Sequence, residues 1–172
     1  MDVPITRRSV ATWNGDLHGG VGMLSTDGGR LAGATFTAAG RIEPASEHLA
    51  PEELFAAAHA SCVAMSLAAT LSRIDARATR IEVGATCTLR VAGEGIEIAR
   101  LDVEVRGVVP GLDALAFTGA VEAAVHSSAT TKALGPHVDV SARARLQDGG
   151  GTAALDPPTT DAATTLVHGV DG

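Results

Sequence analysis

From Ile81 to Val91 the chain alternates: Ile81, Val83, Ala85, Cys87, Leu89 and Val91 are separated by Glu82, Gly84, Thr86, Thr88 and Arg90. A period of two puts each set on its own face of a pleated strand, so the segment predicts a half-buried strand. Gly93-Glu94-Gly95 then turns the chain, and Leu101, Val103 and Val105 alternate with Asp102, Glu104 and Arg106 in a second strand. Ile96 and Ile98 are out of phase with that set, which predicts a bulge near Ala99 and Arg100. A last alternation, Val138, Val140, Ala142, Ala144 and Leu146, predicts a closing strand. Residues 6–40 also read as β structure. Strands are expected over Arg7–Trp13, Val21–Ser25 and Leu31–Thr37, with Asn14-Gly15 and Asp27-Gly28-Gly29 as turn signals.

Two segments have helical character instead. Pro51 suits a first helical position because its missing N–H has no intrahelical partner there, and Glu52 and Glu53 favour the positive end of the helix dipole. The helix they open is expected to end near Arg73–Ala76, and Leu54–Ser72 carries no formal charge. That length invites a membrane-spanning reading. The run is mostly alanine and serine, contains His59 and has no second span beside it, so a helix buried in a soluble fold or a subunit interface is the better expectation. Pro110-Gly111 opens a second helix to about Ser127, with Leu112, Leu115, Ala116, Gly119 and Ala123 as its expected buried stripe. Thr130–Leu134 adds a short turn of helix closed by Gly135-Pro136.

The order β-rich segment, helix, hairpin, helix, strand predicts one α+β domain over residues 1–146. After that the composition shifts to Gly, Pro, Asp, Thr and Ala, so 147–172 is expected to be a disordered tail. The 172 residues carry a formal charge of −7 and only 2% aromatic residues, with no Tyr and one Trp. A nucleic-acid surface needs a basic stripe and stacking rings, so that class is disfavoured. The N-terminal Met-Asp-Val-Pro-Ile-Thr-Arg-Arg has no apolar signal core, and a cytoplasmic location is expected. The two cysteines, Cys62 and Cys87, form neither a disulfide framework nor a zinc spacing.

Cys62 is the focus of the chemistry. On a helix it neighbours Ala58, His59, Met65 and Ser66, about three turns from the helix start and beyond most of the dipole's reach. Burial among alanines raises a thiol's pKa and leaves it inert packing. A reactive Cys62 needs an imported positive charge, and two candidates exist: His59 one turn back, or Arg41 on the preceding loop, with Glu52 able to orient the guanidinium through a bidentate pair. Cys87 falls on the apolar side of its strand and reads as core.

Three segments read together resemble the OsmC/Ohr family of osmotically induced and organic-hydroperoxide-resistance proteins. They are Trp13-Asn-Gly-Asp, Ala50-Pro-Glu-Glu-Leu-Phe-Ala-Ala-Ala-His-Ala-Ser-Cys-Val-Ala-Met-Ser-Leu67, and Val109-Pro-Gly-Leu-Asp113 with the Ala-rich helix after it. The first and third are more similar to the OsmC branch. The resemblance spans residues 7–146 and implies an intertwined α+β homodimer, with antiparallel sheets around long central helices and active sites between subunits. It also implies a peroxidatic cysteine at Cys62, an arginine at Arg41 and a glutamate at Glu52. The family's second cysteine aligns with Ser128, and the proline after it with Ala129. Serine cannot attack a sulfenic acid to close a disulfide.

The reading that follows is an antioxidant peroxidase of a single peroxidatic cysteine, reducing organic and also hydrogen peroxides. It would use no resident cofactor and no metal, and a small or protein dithiol would supply the electrons. The alternative is a non-catalytic dimeric binding protein that holds a small hydrophobic ligand at the subunit interface. A Cys62–His59 hydrolase dyad is weaker, because two residues one turn apart on one helix leave little room for a substrate.

Overall fold

The computed structural model describes residues 4–43, 46–93, 95–148 and 165–167. The chain forms two compact units that divide in the first turn of the long helix, Met1–Leu54 and Phe55–Gly172.

The first unit is an antiparallel meander of β1 (Ser9–Asn14), β2 (Val21–Thr26) and β3 (Ala34–Phe36). Gly15, with φ of +99°, and the Asp16 carboxylate, which accepts from the His18 and Gly19 amides, shape the connection between β1 and β2. A Cβ on Gly22 would lie 2.2 Å from Phe36 Cζ, so only glycine lets that ring lie across β2 beside Trp13, 5.7 Å between ring centroids. All six residues of β1 are exposed. A 3-10 turn at Ala39–Arg41 follows β3, and α1 (Pro51–Arg73) begins where proline was expected to open it. The Glu53 carboxylate reaches back to accept from the Ala50 amide at 2.9 Å, half of a capping box.

The second unit holds a four-stranded sheet in the order β4 (Arg80–Ala92), β5 (Gly95–Val108), β6 (Asp139–Leu146) and β7 (Thr165–Val167), with α2 (Ala114–Ser127) and α3 (Ala129–Leu134) between β5 and β6. The hairpin register slips where Thr88 pairs with Arg100 and Leu89 with Ile98, so Ala99 is the extra residue of the expected bulge. The sheet is mixed where antiparallel sheets were expected: β5 and β6 run parallel, because the α2–α3 crossover returns the chain to the end where β5 began. The middle of the hairpin turn, Glu94, lies outside the described residues. So does most of the expected tail, of which 165–167 pair antiparallel with β6.

The core is built from Val63, Leu67 and Leu71 of α1, Leu101, Val103 and Val105 of β5, Val140 and Ala142 of β6, and one face of α2. Each large aliphatic side chain buried there contributes roughly 1.5–3 kcal/mol relative to exposure. The α2 face corrects the expected stripe. Phe117, Ala120, Val121, Ala124 and Val125 are buried, whereas Leu115 is 84% exposed. The Asp113 side chain caps the helix by accepting from the Ala116 amide at 2.8 Å, so the helix starts at Ala114 and not at Pro110. That start turns Phe117 onto Gly107, where a Cβ would lie 2.4 Å from the ring.

Among the described residues α1 alone is long and apolar enough to cross a membrane. Its Val63, Leu67 and Leu71, spaced every fourth residue, pack in the core of the second unit. The opposite side is small, apolar and uncovered: Ala57, Ala58, Ala68 and Ala69 are exposed, and Met65 is 69% exposed.

Candidate active site

Arg41 ends its 3-10 turn facing the first turn of α1. Its Nε and Nη2 both donate to Glu52 Oε1, at 2.8 and 2.5 Å. The fork closes on one carboxylate oxygen, not the two of a bidentate pair. Glu52 Oε2 is buried without a hydrogen-bond partner among the described residues. The Glu52 carboxylate holds Arg41 even more firmly protonated than an ordinary arginine.

Cys62 is partly exposed, not buried as alanine-rich surroundings suggested. The Ser128 hydroxyl hydrogen-bonds it and holds the thiol below its ordinary pKa. Partial burial opposes this, and the Thr130 amide and hydroxyl and the Ala129 amide reinforce it. A sulfur that accepts several donors favours its ionised form. Sequence reasoning looked for a cation and missed these neutral donors. The signal was the run Ser127-Ser-Ala-Thr-Thr131 opening α3.

His59 makes no hydrogen bond to Cys62. It is 0% exposed, and neither ring nitrogen has a hydrogen-bond partner among the described residues. Desolvation depresses its pKa, so it sits in the fold as neutral imidazole. With the unfolded value at 6.5 and the folded value lower, the unfolded chain binds more protons as pH falls through 6.5, and stability falls with it. Urea melts at pH 7.5 and 5.0 should show that loss, and His59→Leu should reduce it. An equal acid loss in the variant would show that His59 is not its source.

Cys87, on β4, packs against the core as expected. Among the described residues no group of His, Cys, Asp and Glu is placed to hold a metal ion.

The sequence model of the family described as OsmC-like protein matches residues 44–143. Peroxiredoxin OsmC of Escherichia coli (strain K12) is 32% identical over 120 residues, covering 70% of this chain and 83% of that protein. The chain belongs to the OsmC family. Among solved structures, the organic hydroperoxide resistance protein OhrB of Bacillus subtilis superposes with a TM-score of 0.61 at 23% identity, over 83% of this chain and 98% of that one. An OsmC-like protein of Vibrio cholerae gives 0.66 at 14% identity, over 83% and 100%. At these identities the two structures speak for the α+β fold alone.

Proposed function

We propose that the protein is a thiol-dependent hydroperoxide reductase with Cys62 as its single reacting cysteine. The observation that carries this reading is a partly exposed Cys62 on α1, whose thiol is pushed below its ordinary pKa, chiefly by Ser128. The similarity to a peroxiredoxin supports it. The Cys62 thiolate attacks the terminal oxygen of the peroxide. An S–O bond forms as the O–O bond breaks, and the alkoxide leaves and takes a proton to become the alcohol. Sulfur loses two electrons and becomes a sulfenic acid. One thiol of an external dithiol then attacks that sulfur and releases water, leaving a mixed disulfide. Its second thiol displaces the Cys62 thiolate, and the dithiol departs oxidised.

In this reading Arg41 supplies fixed positive charge to the thiolate and the peroxide, and Glu52 orients its guanidinium. The Arg41–Glu52 fork supports the second role. The apolar residues of α1 favour organic hydroperoxides. Consumption of cumene hydroperoxide with a small dithiol tests the whole. Arg41→Ala should slow it by about tenfold or more, the scale of losing one charge-assisted contact to a thiolate. A rate unchanged by Arg41→Ala would take Arg41 out of the mechanism. Ser128 in place of the second cysteine is what favours the alternative of a ligand-holding protein. That alternative takes over if the wild type consumes no hydroperoxide.

The reading includes a homodimer. The uncovered face of α1, centred on Met65, and the exposed β1 are the surfaces that support it. Light scattering at micromolar concentration should give twice the chain mass, and a stable monomer would count against the assembly.

A further inference from the structure

Arg41 stands between β3 and α1. An arginine side chain has many rotamers, so its guanidinium meets one carboxylate oxygen reliably when the backbone beneath it is held. Here the hold comes from β3, the last strand of its sheet. The Thr35 carbonyl accepts from the Leu49 amide at 2.9 Å, which ties the chain approaching α1 to that strand. The Thr35 hydroxyl lies 2.9 Å from His48 Nδ1. One residue of β3 therefore grips two successive residues, once through its main chain and once through its side chain.

The turn that carries Arg41 leans on the same group. The Thr37 hydroxyl accepts from the Gly40 amide at 2.9 Å, inside the 3-10 turn that ends at Arg41. Ser46 Oγ accepts from the His48 amide at 3.1 Å. Gly40 is buried, and a Cβ there would lie 3.0 Å from Ser46 Oγ, 3.1 Å from Thr37 Oγ1 and 3.2 Å from His48 Cβ. The residue before Arg41 thus rests directly on His48.

We propose that Thr35 and His48 are positioning residues that set the place of the Arg41 guanidinium, by clamping its turn to β3. The inference rests on Arg41 acting on the thiolate and the peroxide in the function proposed above. The clamp works with either tautomer of the ring, because a hydroxyl can donate to a bare Nδ1 or accept from Nδ1–H. Valine at position 35 keeps the shape and the main-chain bond to Leu49 but removes both roles of the hydroxyl. Serine keeps them.

The test reads Arg41 itself. Its Nε–H donates to Glu52, so its exchange with water is slowed and can be followed by NMR in the 15N-labelled full-length protein. The signal is assigned by its loss in Arg41→Ala. Thr35→Val should quicken the exchange by about threefold or more, the scale of one neutral hydrogen bond. Thr35→Ser should restore the wild-type rate. The Trp13 indole N–H, which donates to the Gly15 carbonyl in the same unit, should not change. An unchanged Arg41 rate in folded Thr35→Val overturns the proposal, and so does an equal change at Trp13, which would mean a general loosening of the sheet. If Thr35→Val does not fold, an unchanged Arg41 rate in His48→Ala overturns it. Consumption of cumene hydroperoxide should fall by a similar factor in Thr35→Val, and that fall should vanish when Arg41→Ala is already present. A fall of the same size without Arg41 overturns the proposal. No peroxide enters the exchange measurement. Failure of the wild type to consume hydroperoxide would remove the proposed function, whereas a quickened Arg41 exchange would still support the clamp.

Discussion

Cys62→Ser is expected to lower organic hydroperoxide consumption by more than about a thousandfold, the order of loss when a reacting nucleophile is removed. A serine hydroxyl in the same place stays protonated and cannot be oxidised as sulfur is, so neither the S–O bond nor the mixed disulfide can form. Cys87→Ser should leave the rate within about twofold, because that side chain packs against the core and has no part in the chemistry. The pair of variants separates catalysis from general thiol consumption of peroxide. Comparable losses in both would mean that the protein reacts only as a carrier of two ordinary thiols.

The second large effect comes from restoring a thiol opposite Cys62. Ser128 is the largest cause of the lowered Cys62 pKa. In Ser128→Cys the introduced sulfur should attack the Cys62 sulfenic acid, expel water and close an intramolecular disulfide. One equivalent of organic hydroperoxide should convert nearly all of the variant to that form, visible as a linked peptide pair in non-reducing mass spectrometry. The wild type should form no such link between Cys62 and Cys87. If the variant's Cys62 passes to sulfinic acid with no linked peptides, the two side chains do not approach closely enough to bond.

Local patterns were read well where they depend on local physics. Proline and two glutamates place the start of α1, and the phase break between Ile98 and Leu101 places the Ala99 bulge in the β4–β5 register. Arg41 and Glu52, eleven positions apart across the α1 start, were singled out as a pair and do form an ion pair, though on one carboxylate oxygen. What escaped depends on contacts distant in sequence or on one capping residue. The α2 stripe was shifted because the pattern alone does not show that Asp113, not Pro110, begins the helix. The parallel pairing of β5 and β6 follows from the path of the α2–α3 crossover, which strand periodicity does not encode. Ser128 was visible only as a departure from a family pattern. Its effect on the Cys62 thiol links α1 to the start of α3, and the neutral groups that lower that pKa were overlooked by a search for cations.

The same contrast explains the two buried polar groups on α1. Glu52 and His59 are seven residues apart on one helix. Glu52 is held by Arg41, whereas His59 has no partner among the described residues and is kept neutral by desolvation. His59 is a packing residue whose cost appears only in acid.

The most direct measurement is residue-resolved trapping of sulfenic acid with a dimedone probe during exposure of the reduced wild-type protein to cumene hydroperoxide. Cys62 should be labelled rapidly and nearly completely while Cys87 stays unlabelled. Slow labelling of both cysteines at equal rates would contradict Cys62 as the reacting thiolate.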